Sequence, residues 1–101
     1  MVKAGIRVSI DNLALFQLKQ AYDYIKKDSP KNALTVKRDI FSACMALSAH
    51  PQKHPVDKYK RNNDGSYRAF EQHRYRIVYR ILPTEIKVIT LRHTSMEPLE
   101  Y

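Results

Sequence analysis

The chain has 101 residues, of which 44% are hydrophobic, with only two glycines, one cysteine and a formal net charge of +8. This length predicts one domain over residues 1–101, and the composition argues against long disorder, an internal disulfide and a membrane span. No charged segment precedes an apolar one near the start, so no secretory signal is expected and the expected compartment is the cytoplasm. The positive charge favours polyanions or acidic proteins as partners.

The first half of the chain is predicted to contain one strand and two helices. Residues 5–10 alternate as a strand does, and residues 11–28 carry apolar residues at helical spacing after Asp11, a predicted N-cap. Ser29 and Pro30 end this helix and begin the next one, with Ser29 as N-cap and Pro30 at the first helical position. The second helix is predicted to stop at the following proline. Two helices joined by two residues form a hairpin with one apolar face.

The second half is predicted to be a loop followed by three strands. Residues 51–65 are polar and contain two prolines and an Asp-Gly turn signal. A tight turn near His73 and a short connection at 83–85 would join the strands that follow. These strands are predicted at 66–72, 75–82 and 86–93. The order β-α-α-β-β-β predicts an α+β fold, a small, mostly antiparallel sheet with a helical hairpin packed on one face.

One predicted strand lies within the segment HRYRIVYR, residues 73–80, where arginine alternates with Tyr and Ile. If the helices cover the Tyr and Ile side, the other side is open and its arginines project from it. These arginines are Arg74, Arg76 and Arg80, with Arg68 of the neighbouring strand as a further member if the register allows it. Residues 51–80 hold eight Lys or Arg against three acids, and arginine suits phosphate recognition, so this face is predicted to bind anions.

The residue types present argue against metal, nucleotide and thiol chemistry. His50 and His54 are four residues apart, but Pro51 breaks the helix that would align them on a metal. Two glycines cannot build a loop that cradles a nucleotide, and Cys44 lies on the apolar stripe of the second helix, where a core residue is expected. We therefore expect no metal and no cofactor.

Acid–base candidates remain near the predicted strand ends, namely Glu71, His73, His93 and Tyr101. Metal-independent RNA cleavage needs a base for the 2′-hydroxyl, cations for the transition state and an acid for the departing 5′-oxygen. Arginines fixed on a strand would supply the cations. Glu71 and His93 also have structural explanations, a surface salt bridge and a backbone-bonded strand end, and both explanations stay open here.

The segments SYRAF, YRIVYRI and IKVITLRHTSMEPLEY resemble the RelE/ParE superfamily of type II toxin–antitoxin toxins. Together with YIKKDSPKNA in the helical hairpin, the resemblance covers nearly the whole chain. It implies the fold described above and a bacterial toxin, often linked to a plasmid or operon. It also implies a cognate antitoxin, a small, partly acidic protein that wraps the toxin through a disordered segment, which the net charge would attract.

The resemblance implies two alternative activities. RelE-like toxins cut mRNA in the ribosomal A site, whereas ParE-like toxins inhibit DNA gyrase and are not known as nucleases. Ribosome-dependent mRNA cleavage is the first expectation, because Arg76 matches the arginine that RelE-like toxins use on the scissile phosphate. Gyrase inhibition without a nuclease site, or an inert member that binds only its antitoxin, are the alternatives.

The resemblance also implies roles for individual side chains. Tyr101 lies near the catalytic tyrosine of some members, and a second family arginine would fall near Thr94, where His93 is expected to substitute. The residues expected in catalysis are Arg76, His93, Glu71 and Tyr101. Those expected to bind RNA or a partner are Arg68, Arg74, Arg80, Lys58, Lys60 and Arg61.

Overall fold

The computed structural model describes residues 6–101, in which two helices and four strands follow the predicted order. Gly5, the first residue of the predicted first strand, lies outside the described residues. The elements are β1 (Arg7–Ile10), α1 (Asn12–Lys26), α2 (Pro30–Ala46), β2 (Tyr67–Gln72), β3 (Tyr75–Ile81) and β4 (Glu85–His93). The predicted α+β fold is confirmed.

The four strands form one sheet in the order β1-β4-β3-β2. β1 runs parallel to β4 and the other pairs are antiparallel, which confirms a mostly antiparallel sheet. β1 pairs only with Glu85–Val88, the first half of β4. Further along, Gln17 of α1 takes the place of a strand, since its Oε1 accepts hydrogen bonds from Leu91 N at 2.8 Å and Thr90 Oγ1 at 3.0 Å.

The helix boundaries follow local sequence signals. Ser29 adopts an extended backbone and its Oγ accepts a hydrogen bond from Asn32 N at 3.1 Å, with Pro30 at the first helical position, as predicted. Asp11 stands at the N-cap of α1 but makes no capping hydrogen bond, because its Oδ1 pairs instead with Lys87 Nζ at 3.5 Å. α2 ends at Ala46, earlier than its predicted end.

Replacing Ser29 with alanine is expected to lower the free energy of unfolding by about 1 kcal/mol, because the first turn of α2 loses the acceptor for one of its free N–H groups. Urea denaturation followed by circular dichroism measures the change. Thr35→Ala, on the exposed side of the same helix, is the control and should be neutral or slightly stabilising. An equal loss in both variants would contradict the capping role.

The helical hairpin covers the face of the sheet that carries Tyr75, Ile77 and Tyr79, as predicted. Their exposed fractions are 8%, 0% and 0%. The Tyr79 hydroxyl donates to the Pro51 carbonyl at 2.7 Å, so its polar end is satisfied within the core. Cys44 lies in the same core, and burial raises the pKa of its thiol to about 11, in keeping with a packing role.

The predicted loop before β2 wraps around the outer edge of this strand. On the helix side, the His54 ring stacks on Phe70 with centroids 4.4 Å apart. Val56 then bridges to Arg68, and Asp57 N donates to Tyr67 O at 2.8 Å. The loop thus passes from the helix side to the second face of the sheet, and the prediction that this second face is open was wrong.

Of the three arginines predicted on that face, Arg74 lies elsewhere, and so does Arg68, whose side the sequence left open. The register places Arg68 opposite Tyr79, and therefore on the helix side, where its Nη1 donates to the His54 carbonyl at 2.8 Å. Arg74 is in the turn between β2 and β3, where His73 and Arg74 have φ values of 51° and 66°. Two successive residues of positive φ are typical of a two-residue hairpin turn, so Arg74 cannot continue the strand alternation.

Candidate functional site

Arg76 lies on the second face of the sheet, where it is enclosed by acidic and aromatic side chains. Its Nη2 is 2.7 Å from Asp57 Oδ1, and its Nη1 is 3.8 Å from Glu71 Oε2. The guanidinium also lies over the Tyr59 ring, 5.0 Å from its centroid. The arginine expected to contact phosphate is therefore already paired with carboxylates of its own chain.

Asp57 is the one buried charged residue in the described part of the chain, with 2% of its surface exposed. Its carboxylate accepts hydrogen bonds from the Arg76 guanidinium and the Tyr101 hydroxyl, each at 2.7 Å, and from Tyr59 N at 3.2 Å. Burial alone would raise the pKa of Asp57, but these bonds and the Arg76 charge outweigh it and lower the pKa below its usual value. Asp57 is thus an ionised centre that joins loop, sheet and C-terminal segment.

Tyr101 is held against this centre by its side chain and its backbone. Besides the hydroxyl bond to Asp57, Tyr101 N donates to Tyr59 O at 3.2 Å and Tyr101 O accepts from Arg61 N at 2.6 Å. Its ring meets the edge of Tyr67 with centroids 5.7 Å apart. Burial, the bond to Asp57 and the Asp57 charge raise the pKa of Tyr101 well above its usual value, so its proton is held firmly near neutral pH.

His93 and Glu71, the other expected acid–base residues, lie apart from each other. His93 ends β4 opposite Tyr75, and its Nδ1 bonds Ser95 Oγ at 2.7 Å and accepts from Ser95 N at 3.0 Å. The register puts it on the helix side of the sheet, opposite to Arg76. Glu71 is exposed and forms an ion pair with Arg76. The four expected catalytic residues therefore do not converge on one point, although all four line the same cavity.

Three of the expected binding cations stack on tyrosines of the second face. Arg80 lies 4.8 Å from the centroid of the Tyr67 ring, and Lys60 Nζ lies 4.9 Å from that ring and 5.3 Å from the Tyr101 ring. Lys58 Nζ stacks in the same way, 5.2 Å from the ring of the tyrosine that follows it. The attraction between each cation and the ring quadrupole stabilises these contacts.

Arg61 is the remaining expected binding residue on this face. Its side chain is 74% exposed and its Nη2 is 4.0 Å from Glu100 Oε2 at the C-terminal segment. At such exposure the pair contributes little to stability. Arg61 therefore adds positive charge to the surface next to the stacked cations.

A cavity of about 230 Å³ lies between the second face of the sheet, the loop and the C-terminal segment. β3 and β4 supply its floor, and residues after β4 supply part of its wall. Two charged residues that the sequence did not single out lie in it, Asp57 and Arg92. The residues that line it include Leu13, Asp57, Lys58, Tyr59, Glu71, Arg76, Val78, Ile89, Thr90, Arg92, His93, Met96, Leu99 and Tyr101.

One sequence signal could have revealed the cover on this face. Val78 stands between Arg76 and Arg80 at an outward position of the alternation, yet it is apolar and only 5% exposed. An apolar residue on a face predicted to be open indicates that something packs against it. No comparable signal marks Asp57, because its contacts come from residues far along the chain.

The described residues 6–101 contain no group of three His, Cys, Asp or Glu side chains arranged to hold a metal ion. Within the same residues, no helix has the length and apolar character required to span a membrane.

Solved structures with this fold include a toxin and chains of toxin–antitoxin systems. A chain of the chromosomal ParDE system of P. aeruginosa superposes with a TM-score of 0.68 and 18% identity, covering 87% of this chain and 95% of that one. A mutant of the E. coli toxin RelE in the free state superposes with a TM-score of 0.59 and 15% identity, covering 88% of this chain and 83% of that one. A chain of the M. tuberculosis RelBE2 toxin–antitoxin complex superposes with a TM-score of 0.59 and 17% identity, covering 88% of this chain and 98% of that one.

The family described as the ParE toxin of the type II toxin–antitoxin system parDE matches residues 8–98. The chain belongs to this family, and it is the toxin of a type II toxin–antitoxin system. Among curated protein sequences, no significant match was found. The predicted membership of the RelE/ParE superfamily is confirmed.

Proposed function

We propose that this toxin arrests growth by binding DNA gyrase, and that it does not cut mRNA. The observation that carries the proposal is the buried Asp57, whose carboxylate accepts hydrogen bonds from both Arg76 and Tyr101. Membership of the ParE family supports the same choice, since the ParE-like branch is the one that inhibits gyrase. On this proposal the protein works in the cytoplasm and is neutralised by a cognate antitoxin.

The electrostatics around Arg76 oppose phosphate binding there. A scissile phosphate at Arg76 would have to displace Asp57, whose bond to the guanidinium is 2.7 Å long and largely shielded from water. It would also meet the negative charge of Glu71. A displaced Asp57 would remain buried without its cation, which proteins rarely tolerate.

Proton transfer by Tyr101 is opposed by the same carboxylate. A general acid or base works best when its pKa lies near the operating pH. Asp57 raises the pKa of the Tyr101 hydroxyl and holds its proton, so this group is poorly matched to the task. On this proposal Arg76 and Tyr101 act as structural residues. The mRNA cleavage expected from the sequence is the alternative that the following experiment tests.

The purified toxin is expected to block supercoiling of relaxed plasmid by gyrase and to leave mRNA intact on translating ribosomes. Tyr101→Phe should keep the inhibition, because the phenyl ring stays and only the hydroxyl is lost. In a nuclease with a catalytic Tyr101, the same change would lower cleavage by about 100-fold or more. Supercoiling gels and primer extension on ribosome-bound transcripts measure the two activities side by side.

A thermal melt of Tyr101→Phe controls for folding, since loss of the bond to Asp57 is expected to cost about 1–2 kcal/mol. Transcripts cut by the wild type and spared by Tyr101→Phe would overturn the proposal in favour of the nuclease. Undisturbed supercoiling at toxin in excess over gyrase would also overturn it.

A further inference from the structure

The helical hairpin carries an excess of exposed lysine on the side that points away from the sheet. Residues 12–46 hold six Lys or Arg against three Asp, and five of the six cations are lysine. The strand region 66–93 is the reverse, with five arginines and one lysine. The helical layer and the sheet therefore carry different kinds of positive charge. The exposed cations of the hairpin are Lys19, Lys26, Lys27, Lys31, Lys37 and Arg38.

Most of these cations have no acidic partner. Asp23 pairs with Lys19 at 3.7 Å. Asp39 pairs with His73 at 2.8 Å and with Arg38 at 3.8 Å. The other four cations, all lysines, form no ion pair with a residue of the described range 6–101. Because like charges on one surface repel each other, an anionic partner would stabilise this side of the hairpin.

Two of the four unpaired lysines meet at one aromatic ring. Lys37 Nζ lies 5.2 Å and Lys26 Nζ lies 5.6 Å from the centroid of the Tyr22 ring. The contact of Lys37 with Tyr22 runs from α2 to α1, so it identifies the sides of the two helices that meet at the outer surface. Two ammonium groups are thus held close together at the seam between the helices.

Exposed apolar side chains lie along the same seam. Leu15 and Phe16 at the start of α1, and Leu34 and Phe41 of α2, are each between 45% and 58% exposed. Leu15 lies two helical turns before Tyr22, and the two α2 residues lie one turn to either side of the lysine that contacts this ring. The outer side of the hairpin therefore combines large apolar side chains with unpaired lysines.

This combination fits an anionic lipid surface. A long lysine side chain keeps its ammonium group in the layer of polar headgroups while neighbouring Leu and Phe side chains enter the acyl boundary. Protein–protein interfaces are depleted of lysine, since its charge would lose water there. A nucleic-acid backbone is polar and would leave the Leu and Phe side chains without an apolar partner.

We propose that the outer side of the helical hairpin binds the surface of membranes that contain anionic phospholipids. Its exposed Leu and Phe side chains enter the interface, and its unpaired lysines contact the phosphate groups. The Asp57 centre lies on the opposite face of the sheet and stays accessible when the hairpin is bound. The inference does not depend on whether the toxin acts on gyrase or on mRNA.

Co-sedimentation of the purified full chain with lipid vesicles tests the proposal. The vesicles contain phosphatidylcholine alone, or phosphatidylcholine and phosphatidylglycerol at about three to one, which gives them a negative surface potential. We expect the partition coefficient to be about tenfold or more higher for the anionic vesicles. It should fall as salt rises from about 0.1 M to about 1 M, because added ions screen the lysines.

The double variant Lys26→Gln with Lys37→Gln should lower partition into anionic vesicles about tenfold or more, since each lysine near such a surface contributes about fivefold. The double variant Phe16→Ser with Phe41→Ser should lower it about tenfold, because the apolar contribution is lost. All four side chains are exposed, so both variants should fold, and thermal melts check this.

Lys53→Gln with Lys87→Gln is the matched control, because it removes two charges from the loop after α2 and from β4. This variant should keep the wild-type partition within about threefold. An equal loss in the two lysine pairs, or unchanged partition of the phenylalanine variant, would overturn the proposal, since net charge alone would then explain the binding. Absence of binding to anionic vesicles would also overturn it and would assign the outer side of the hairpin to a protein partner.

Discussion

Replacing Asp57 with alanine is expected to destabilise the toxin by about 3–5 kcal/mol, because breaking a buried ion pair leaves an uncompensated charge. The Arg76 guanidinium keeps only its longer contact to Glu71, which is mostly exposed and screened by water. The Tyr101 hydroxyl and the Tyr59 amide lose their acceptor at the same time. Urea denaturation of the purified toxin measures the loss.

Asp64→Ala is the matched control for this change. Asp64 is an acid of the same loop, but it is exposed and its side chain bonds only to Ser66 among the described residues, so its loss should cost less than about 1 kcal/mol.

In Asp57→Ala, hydrogen exchange at the Arg61 amide should also become faster, because the hydrogen bond from Arg61 N to Tyr101 O depends on an anchored C-terminal segment. Equal losses in the two variants would show that Asp57 has no special part in stability.

Arg76→Gln is expected to cost about as much as Asp57→Ala, roughly 3–5 kcal/mol, since the Asp57 carboxylate then stays buried without its cation. The double variant Asp57→Asn with Arg76→Gln should cost clearly less than the sum of its own two single changes, Asp57→Asn and Arg76→Gln. A neutral pair of similar shape retains hydrogen-bonding groups and leaves no buried charge. A double-mutant cycle at neutral pH measures the coupling, expected at about 2–3 kcal/mol.

Acid pH provides the control for this cycle. The pKa of Asp57 is lower in the folded protein than its usual value, so its contribution is fully present above about pH 4. It is lost as the pH falls through the pKa of the folded state. The wild type should therefore lose more stability than the double variant between about pH 5 and pH 2. Parallel pH profiles would contradict an ionised Asp57.

The secondary-structure elements and the buried face of the sheet could be predicted from sequence because they depend on local periodicity. The alternation of Tyr75, Ile77 and Tyr79 with arginine identified the buried face of β3, and Ser29 with Pro30 identified the start of α2. Each signal lies within a few residues. One side of each helix or strand is buried, so apolar residues recur along the sequence at the period of that element.

The site was less predictable because it joins residues distant in the chain. Asp57, Arg76 and Tyr101 meet only when the loop wraps the edge of β2 and the C-terminal segment returns to the sheet. Arg68 was open to either face because its side depends on strand register. The buried Val78 was the one local trace of a cover on the arginine side.

The parallel pairing of β1 with β4 affects when the protein can fold during its synthesis. Arg7 pairs with Glu85, so the first strand has no neighbour until the last strand has been made. At roughly 5–20 residues per second, this interval lasts about 4–16 s. Until then β4, the strand between β1 and β3, is missing and the hairpin has no complete sheet to cover. A chain that ends before β4 lacks the strand that joins β1 to β3, and we expect it not to reach the native fold.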